Sequence, residues 1–366
     1  MNITEILVPP QEIAWLPWAV QYFFYIGSSY AAAILFVIAL LFKTHTSHLF
    51  RSALVLVMAI GSIVGALALT GDLHQPGRAW HFYAHFTPWS WMSLGSLFLP
   101  IFSALCVLTA WLYLRNDIDK LQSNHNLLLR KLAFLSLGKW QISPKQLLAI
   151  ASITALSGLT IALYTGAEIA VLASRPLWNQ PASPLLWFIT AFTAAIGLTL
   201  LMWSLFPAKQ EKLTDCDARI IQSTASMSAI LALILVPIWA SNNTNFVLFQ
   251  NTDWAVNLSS MTLSLLAVTL LATLTPRLLK LRRSALVLAL ACLTAAWMVR
   301  WITMMEVQTI PRFDAGAFPY HLPLGSTGLL GILGMVGLWL AMALFASEVV
   351  SAKPAKNDTP PHTNPQ

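Results

Sequence analysis

Apolar runs of about 20 residues, the length a helix needs to cross roughly 30 Å of hydrocarbon, recur along the whole chain. Short stretches that collect the charged residues separate them. The pattern predicts nine transmembrane helices: Ala14 to Phe42, Ser52 to Thr70, Trp91 to Leu114, Gln146 to Leu172, Pro184 to Phe206, Ile220 to Ala240, Ala255 to Thr275, Ser284 to Met304 and Thr327 to Phe345. The fold class is therefore all-α, a polytopic integral membrane protein. Residues 1–348 form one membrane domain, and residues 349–366, rich in Pro, Asn and Thr, have too little apolar area to fold and are expected to be a disordered tail. Met1 to Glu12 has no Lys or Arg and carries Glu5 and Glu12, so the first helix is read as a retained span and not as a cleaved signal.

Composition excludes a water-soluble globule. The chain is 57% hydrophobic and 10% charged, against roughly a quarter charged in soluble domains. Its net charge of +7 invites a nucleic-acid reading, but the basic residues are scattered over short loops and form no block. Topology accounts for them better. When alternate loops are assigned to opposite sides, 17 of the 21 Lys and Arg residues fall on one side, including Lys43, Arg51, the run from Arg115 to Lys145, Lys209, Lys212, Arg219, the run from Arg277 to Arg283, Lys353 and Lys356. Arg78, Arg175 and Arg312 fall on the other side, and Arg300 lies within a helix. The positive-inside rule makes the first side cytoplasmic, with the N-terminus outside and the C-terminus inside. Within the longest cytoplasmic connection, Leu121, Leu128 and Leu132 recur at roughly helical spacing and predict a short surface helix.

Candidate chemistry concentrates near the outer face. An ionisable group within a membrane helix costs on the order of 3 kcal/mol on insertion scales, so it faces a partner, a cavity or a ligand. Glu168 and Arg300 each sit about one turn before the outer end of a helix, Gln21 lies one or two turns into the first, and Asp72 closes the second. Tyr164 shares a helix face with Glu168 at the i, i+4 spacing. The inner half of every predicted helix lacks a carboxylate or histidine. Two readings are open: a structural Glu168–Arg300 ion pair, or a lipid-accessible pocket for a small polar head group in which Tyr164, Asp72 and Glu168 move protons.

Other ligands find little support. His74, His81 and His85 share an outer loop without acidic or cysteine companions at metal-site spacing, and Cys106, Cys216 and Cys292 are too dispersed for an iron–sulfur cluster and read as packing residues. No histidine falls within a predicted helix interior, so haem in the bilayer is not expected, and no metal site is assigned.

Three separated motifs carry a family likeness. GDLHQPGRAWHFYAHFTPWSWMSLGSLFLP (Gly71 to Pro100), YTGAEIAVLASRPLW (Tyr164 to Trp178) and the arginine of WMVRW (Trp297 to Trp301) resemble, in order, segments of the polysulfide-reductase-like quinol dehydrogenase membrane subunits. The likeness runs from about Trp15 to about Trp339. That resemblance implies two four-helix bundles plus one C-terminal helix in a bacterial inner membrane. It implies a haem-free anchor whose quinol site, near the periplasmic face, involves Asp72, Tyr164, Gln21, Glu168 and Arg300. Its implied partners are a periplasmic four-cluster iron–sulfur subunit and a molybdopterin catalytic subunit that reduces a sulfur oxyanion or polysulfide. The family's first helix carries a Gly pair where this chain has Gly27-Ser28. A secondary transporter and a purely structural anchor are the competing classes, although a transporter site lies near the midplane.

Overall fold

The computed structural model describes residues 13–73, 75–124, 126–138, 140–206, 213–241, 248–274, 281–310 and 320–351. Met1 to Glu12, His74, Lys139, Lys209, Lys212, Arg277, Lys280, Arg312 and the tail from Lys353 lie outside the described residues. Among those described, nine helices are long and apolar enough to cross a bilayer: α1 (Pro17–Leu41), α2 (His48–Asp72), α3 (Trp91–Lys120), α4 (Pro144–Ala170), α5 (Ala182–Leu205), α6 (Asp215–Ser241), α7 (Thr252–Leu274), α8 (Arg282–Trp301) and α9 (Leu329–Ser351). Each overlaps one span predicted from the apolar runs.

Local chemistry explains where several of them start. Pro17 and Pro144 occupy first-turn positions, where the missing N–H costs nothing. Ser47 Oγ accepts from the Phe50 amide at 3.1 Å to cap α2, and Ser143 and Gln146 form a reciprocal capping box on α4.

Helices α1 to α4 pack as one group and α5 to α8 as another, with α9 lying mainly against α2. The two groups meet mainly along α5, which packs against α1, α2 and α4, and where α8 reaches α1. Helices α1 and α5 are 72% buried over their most apolar windows, whereas α9 is 22% buried and faces lipid. Small residues allow the closest approaches. A Cβ on Gly65 would stand 2.6 Å from Ile26 Cγ1, so α2 and α1 come together only with glycine there.

We call the end that carries Arg51, Arg115, Lys120, Arg219 and Arg282 the basic end. Here the sequence expectation needs correction, because α2, α3 and α6 run further than their apolar cores and bring Asp117 and Asp217 inside the bundle, with His48 half-buried beside Asp117. His48 Nε2 lies 2.9 Å from Asp117 Oδ2, and Lys120 Nζ donates to Asp117 Oδ1 at 3.0 Å. His48 Nδ1 is 2.8 Å from the Tyr113 hydroxyl, which also accepts from Arg51 Nε at 3.0 Å. Asp217, fully buried, accepts from the backbone amides of Ser47 (3.1 Å) and Thr214 (2.9 Å) and so ties the α1–α2 turn to the start of α6. The short surface helix expected in the long connection is present at Leu127–Leu132, with Leu128 exposed and Leu121 buried at the end of α3.

At the opposite end α8 finishes in a π-helical turn, Ile302–Glu306. The wider turn displaces carbonyls from the regular ladder, and the Trp178 indole donates to the Thr303 carbonyl at 2.6 Å. Trp187 donates to the Thr303 hydroxyl at 2.8 Å. Gln308 exchanges two bonds with the Trp15 backbone, accepting at 2.9 Å and donating at 3.0 Å. The mouths of α1, α5 and α8 are thereby stapled together.

Removing the Asp217 acceptor should be costly, because each buried amide left without a partner costs about 1–3 kcal/mol. Asp217→Ala should lower the thermal unfolding midpoint in detergent, with Asp217→Asn falling between it and the parent. Equal midpoints for all three would show that the staple contributes nothing.

Candidate functional site

A cleft of about 520 Å³ lies between α2 and α3, near the end opposite the basic one, and α4 forms its back wall. Ile63, Ala66 and Leu67 of α2 and Leu99 and Pro100 of α3 make its sides apolar. Leu67 and Met92 are both strongly solvent-exposed in the isolated chain, so the cleft opens sideways, where lipid would lie. Its closed end is polar, formed by Tyr164 and Glu168.

Two departures from regular helix chemistry in α3 shape this space. Gly95 is the first. A Cβ at that position would stand 2.1 Å from the Tyr164 Cζ, so the phenol reaches the cleft only because residue 95 has no side chain. The second is Pro100, which lies within the helix and has no amide to donate. The Ser96 carbonyl is thereby released from its usual partner, and the Tyr83 hydroxyl donates to it at 3.0 Å. That bond draws the short helix His81–Ala84 across the top, where Ala79, Phe82 and Tyr83 roof the cleft.

The polar end is under-satisfied. Both carboxyl oxygens of Glu168 are buried and lack a hydrogen-bond partner among the described protein groups, as do the Tyr22 hydroxyl and both amide atoms of Gln21. The Tyr164 phenol stands between Tyr22 and Glu168, close enough to couple with each, although neither completes a bond of normal geometry. Leaving a buried polar atom unpaired costs on the order of 2 kcal/mol or more. Such a cluster is suited to a ligand that brings its own hydroxyl or carbonyl groups.

The structure distributes the residues singled out from sequence unevenly. Tyr164 and Glu168 come together in the cleft. Asp72 stands at its rim, half-buried, within electrostatic range of Glu168, and accepts from the Leu16 amide at 3.1 Å where α1 begins. Gln21 is buried on α1 outside the cleft lining.

Arg300 is elsewhere, and the Glu168–Arg300 ion pair does not form. Its guanidinium donates to the Trp187 carbonyl at 2.7 Å and to the Thr190 hydroxyl, with the Trp187 ring 5.7 Å away. It meets α1 at Gly27, where a Cβ would lie 3.2 Å from Nη2. Glu168 couples to α1 at Tyr22, five positions earlier and about 140° around the helix. Gly27 is thus needed beside Arg300, while Ser28 satisfies its hydroxyl on the Tyr25 carbonyl at 2.8 Å.

Sequence reasoning missed Tyr22, Gly95 and the Tyr83–Ser96 bond. A proline inside an apolar run, with a tyrosine in the preceding loop, was the available signal for the last. The rings of His81 and His85 lie 5.7 Å apart on the roof helix, with His81 stacked edge-on against Trp80. Among the described residues no three His, Cys, Asp or Glu side chains converge as metal ligands.

The family model described as "Polysulphide reductase, NrfD" matches residues 8–312, which cover the cleft and every helix but α9. The chain belongs to this family. It is 35% identical over 358 residues to a subunit of the tetrathionate reductase of Salmonella typhimurium strain LT2, covering 95% of this chain and 96% of the relative. It is also 23% identical over 328 residues to a subunit of the selenate reductase of Mesobacillus selenatarsenatis, covering 82% and 75% respectively.

The glycine requirement can be tested without any assay of turnover. Gly95→Ala should destabilise by about 1–3 kcal/mol through overpacking against Tyr164. Gly334→Ala, at a site with nothing within 4 Å, should be neutral or gain about 0.5–1 kcal/mol from helix propensity. Thermal midpoints in detergent report both, and equal effects would show that the ring has room to move.

Proposed function

We propose that this family member is the membrane anchor of a tetrathionate-reductase-type complex and that it oxidises membrane quinol in the cleft between α2 and α3. One observation carries the reading: an apolar channel that opens toward lipid ends on the Tyr164 phenol and on the buried carboxyl of Glu168, whose two oxygens lack a hydrogen-bond partner among the described residues. A quinol matches both halves, an apolar tail for the channel and two hydroxyls for the orphaned acceptors. The near full-length likeness to a tetrathionate reductase subunit supports the choice of complex. Another sulfur oxyanion or polysulfide as terminal acceptor is the alternative, since that chemistry resides on a different chain. A secondary transporter fits less well, because the cleft sits at one end of the bundle.

In this mechanism Glu168 accepts a proton from a quinol hydroxyl, Tyr164 holds the oxygen that loses it, and Asp72 at the rim passes it outward. Oxidation of quinol to quinone releases two protons and two electrons. The electrons leave to a periplasmic four-cluster iron–sulfur subunit and then to a molybdopterin catalytic subunit; this chain itself carries no haem or iron–sulfur cluster. Gln21 and Arg300 act from behind the cleft, Gln21 as a buried polar group on α1 and Arg300 as the nearest fixed positive charge on α8. The basic end faces the cytoplasm of a bacterial inner membrane, with the N-terminus periplasmic.

Tyr164→Phe, Glu168→Gln and Asp72→Asn preserve volume and should leave the protein in the membrane with its partners bound. Each should reduce quinol-dependent turnover about tenfold or more. Artificial donors that feed the catalytic subunit directly should support normal rates. Parental quinol turnover in all three variants would remove the cleft from the mechanism.

The energetics follow from position. Protons and electrons both leave on the side of the cleft, and a charge couples to the membrane potential, at about 2.3 kcal/mol per 100 mV, only if it crosses. Between the cleft and the Asp117 network the spans contain no carboxylate, histidine, lysine or arginine. The complete complex in proteoliposomes, with its periplasmic face outward and given quinol and external acceptor, should therefore develop no membrane potential. A voltage-sensitive dye signal abolished by valinomycin and potassium would mean that charge does cross.

A further inference from the structure

We infer that residues 127–138, at the basic end, form a binding surface for anionic phospholipid. The segment consists of the helix Leu127–Leu132 and a 3₁₀ turn, Ala133–Ser136, followed by Leu137 and Gly138 with φ of 52° and 91°. It is anchored to α3. Ala133 and Ser136 are buried against it, the Trp111 indole donates to the Leu135 carbonyl at 2.8 Å, and Arg115 donates to the Gly138 carbonyl at 3.3 Å.

The outward face has an unusual character for a loop. Leu128 is 73% exposed, Phe134 70% and Leu137 64%. Leu137 also adopts a left-handed backbone, which costs leucine steric strain, yet most of its surface stays uncovered by the rest of the chain. An external apolar phase at this height, the acyl boundary of a leaflet, supplies what the chain does not.

Charge names the kind of lipid. Arg130 and Lys131 are exposed on the same segment, and no acidic residue occurs between Lys120 and Glu168. The nearest carboxylates are already engaged: Asp117 with His48 and Lys120, and Asp119 with Gln122 and Ser136. Asp119 keeps its charge at the inner side of the segment, but neither Arg130 nor Lys131 is ion-paired among the described residues, and two exposed cations beside an apolar face are the combination that selects an anionic headgroup over a zwitterionic one. This inference is independent of what the cleft binds.

The test uses the full chain in nanodiscs of phosphatidylcholine alone or mixed with phosphatidylglycerol. Spin labels at Leu128→Cys and Phe134→Cys, in a background with Cys216 replaced, should be accessible to oxygen and protected from a nickel chelate. Phosphatidylglycerol retained by the protein, measured by mass spectrometry, should fall about tenfold or more in the Arg130→Gln/Lys131→Gln double variant. Labels exposed to the nickel chelate, or equal retention by parent and double variant, would overturn the proposal. So would labels shielded from both quenchers, which would mean that another protein chain covers the surface.

Discussion

Hydrocarbon offers no hydrogen bond to a polar group, and much of this structure follows from that one constraint. At two places where the backbone departs from a regular helix, a side chain arrives to meet the atom set free. Pro100 releases the Ser96 carbonyl and Tyr83 takes it. The π-turn of α8 offers the Thr303 carbonyl and Trp178 takes it. Serine and threonine hydroxyls turn back onto their own helices, as Thr165 does onto Ile161 at 2.9 Å. Against this background the buried side chains without a partner among the described residues include Thr199, Tyr320 and Trp339, but Glu168, Gln21 and Tyr22 differ from these in belonging to α1 and α4 at or behind the closed end of the cleft.

How much of this was legible in the sequence depends on the kind of information each feature needs. The nine spans were, because continuous apolar runs of membrane length have few other uses and the basic loops fix their alternation. The helix ends at the basic side were not. His48, Asp117 and Asp217 lie beyond the apolar runs, and it is their mutual bonding and backbone contacts that keep the helical ends ordered. The proximity of Tyr164 and Glu168 follows from one helix period and was legible. Whether Glu168 faces Arg300 depends on the rotation of α1 between them, which no spacing within a single segment reports. Tyr22 beside Gln21 is a case of the same kind, since adjacent residues point about 100° apart and only the packing of α4 decides which of them meets Tyr164.

Asp72 shows how one residue can hold structural and chemical positions together. Its carboxylate receives the Leu16 amide, one of the donors that the first turn of α1 leaves without an intrahelical partner. That bond fixes α1 relative to α2, and α1 carries Gln21 and Tyr22 to the back of the cleft. The same carboxylate stands at the cleft rim near Glu168. A neutral amide in its place retains an acceptor for Leu16 but loses the charge. The structural bond and the proton-passing role proposed for Asp72 are therefore separable by substitution.

Arg300 completes the argument from the other side of α1. A buried guanidinium without a carboxylate must be held by neutral acceptors, and here the Trp187 carbonyl and Thr190 hydroxyl, both on α5, serve, with the face of the Trp187 ring nearby. The planar donor fork reaches two acceptors at once, which the point charge of a lysine would do less well. Because Arg300 also packs against Gly27, it joins α8, α5 and α1 at the seam where the two helical groups meet. The charge thus stabilises the wall behind the cleft without entering it.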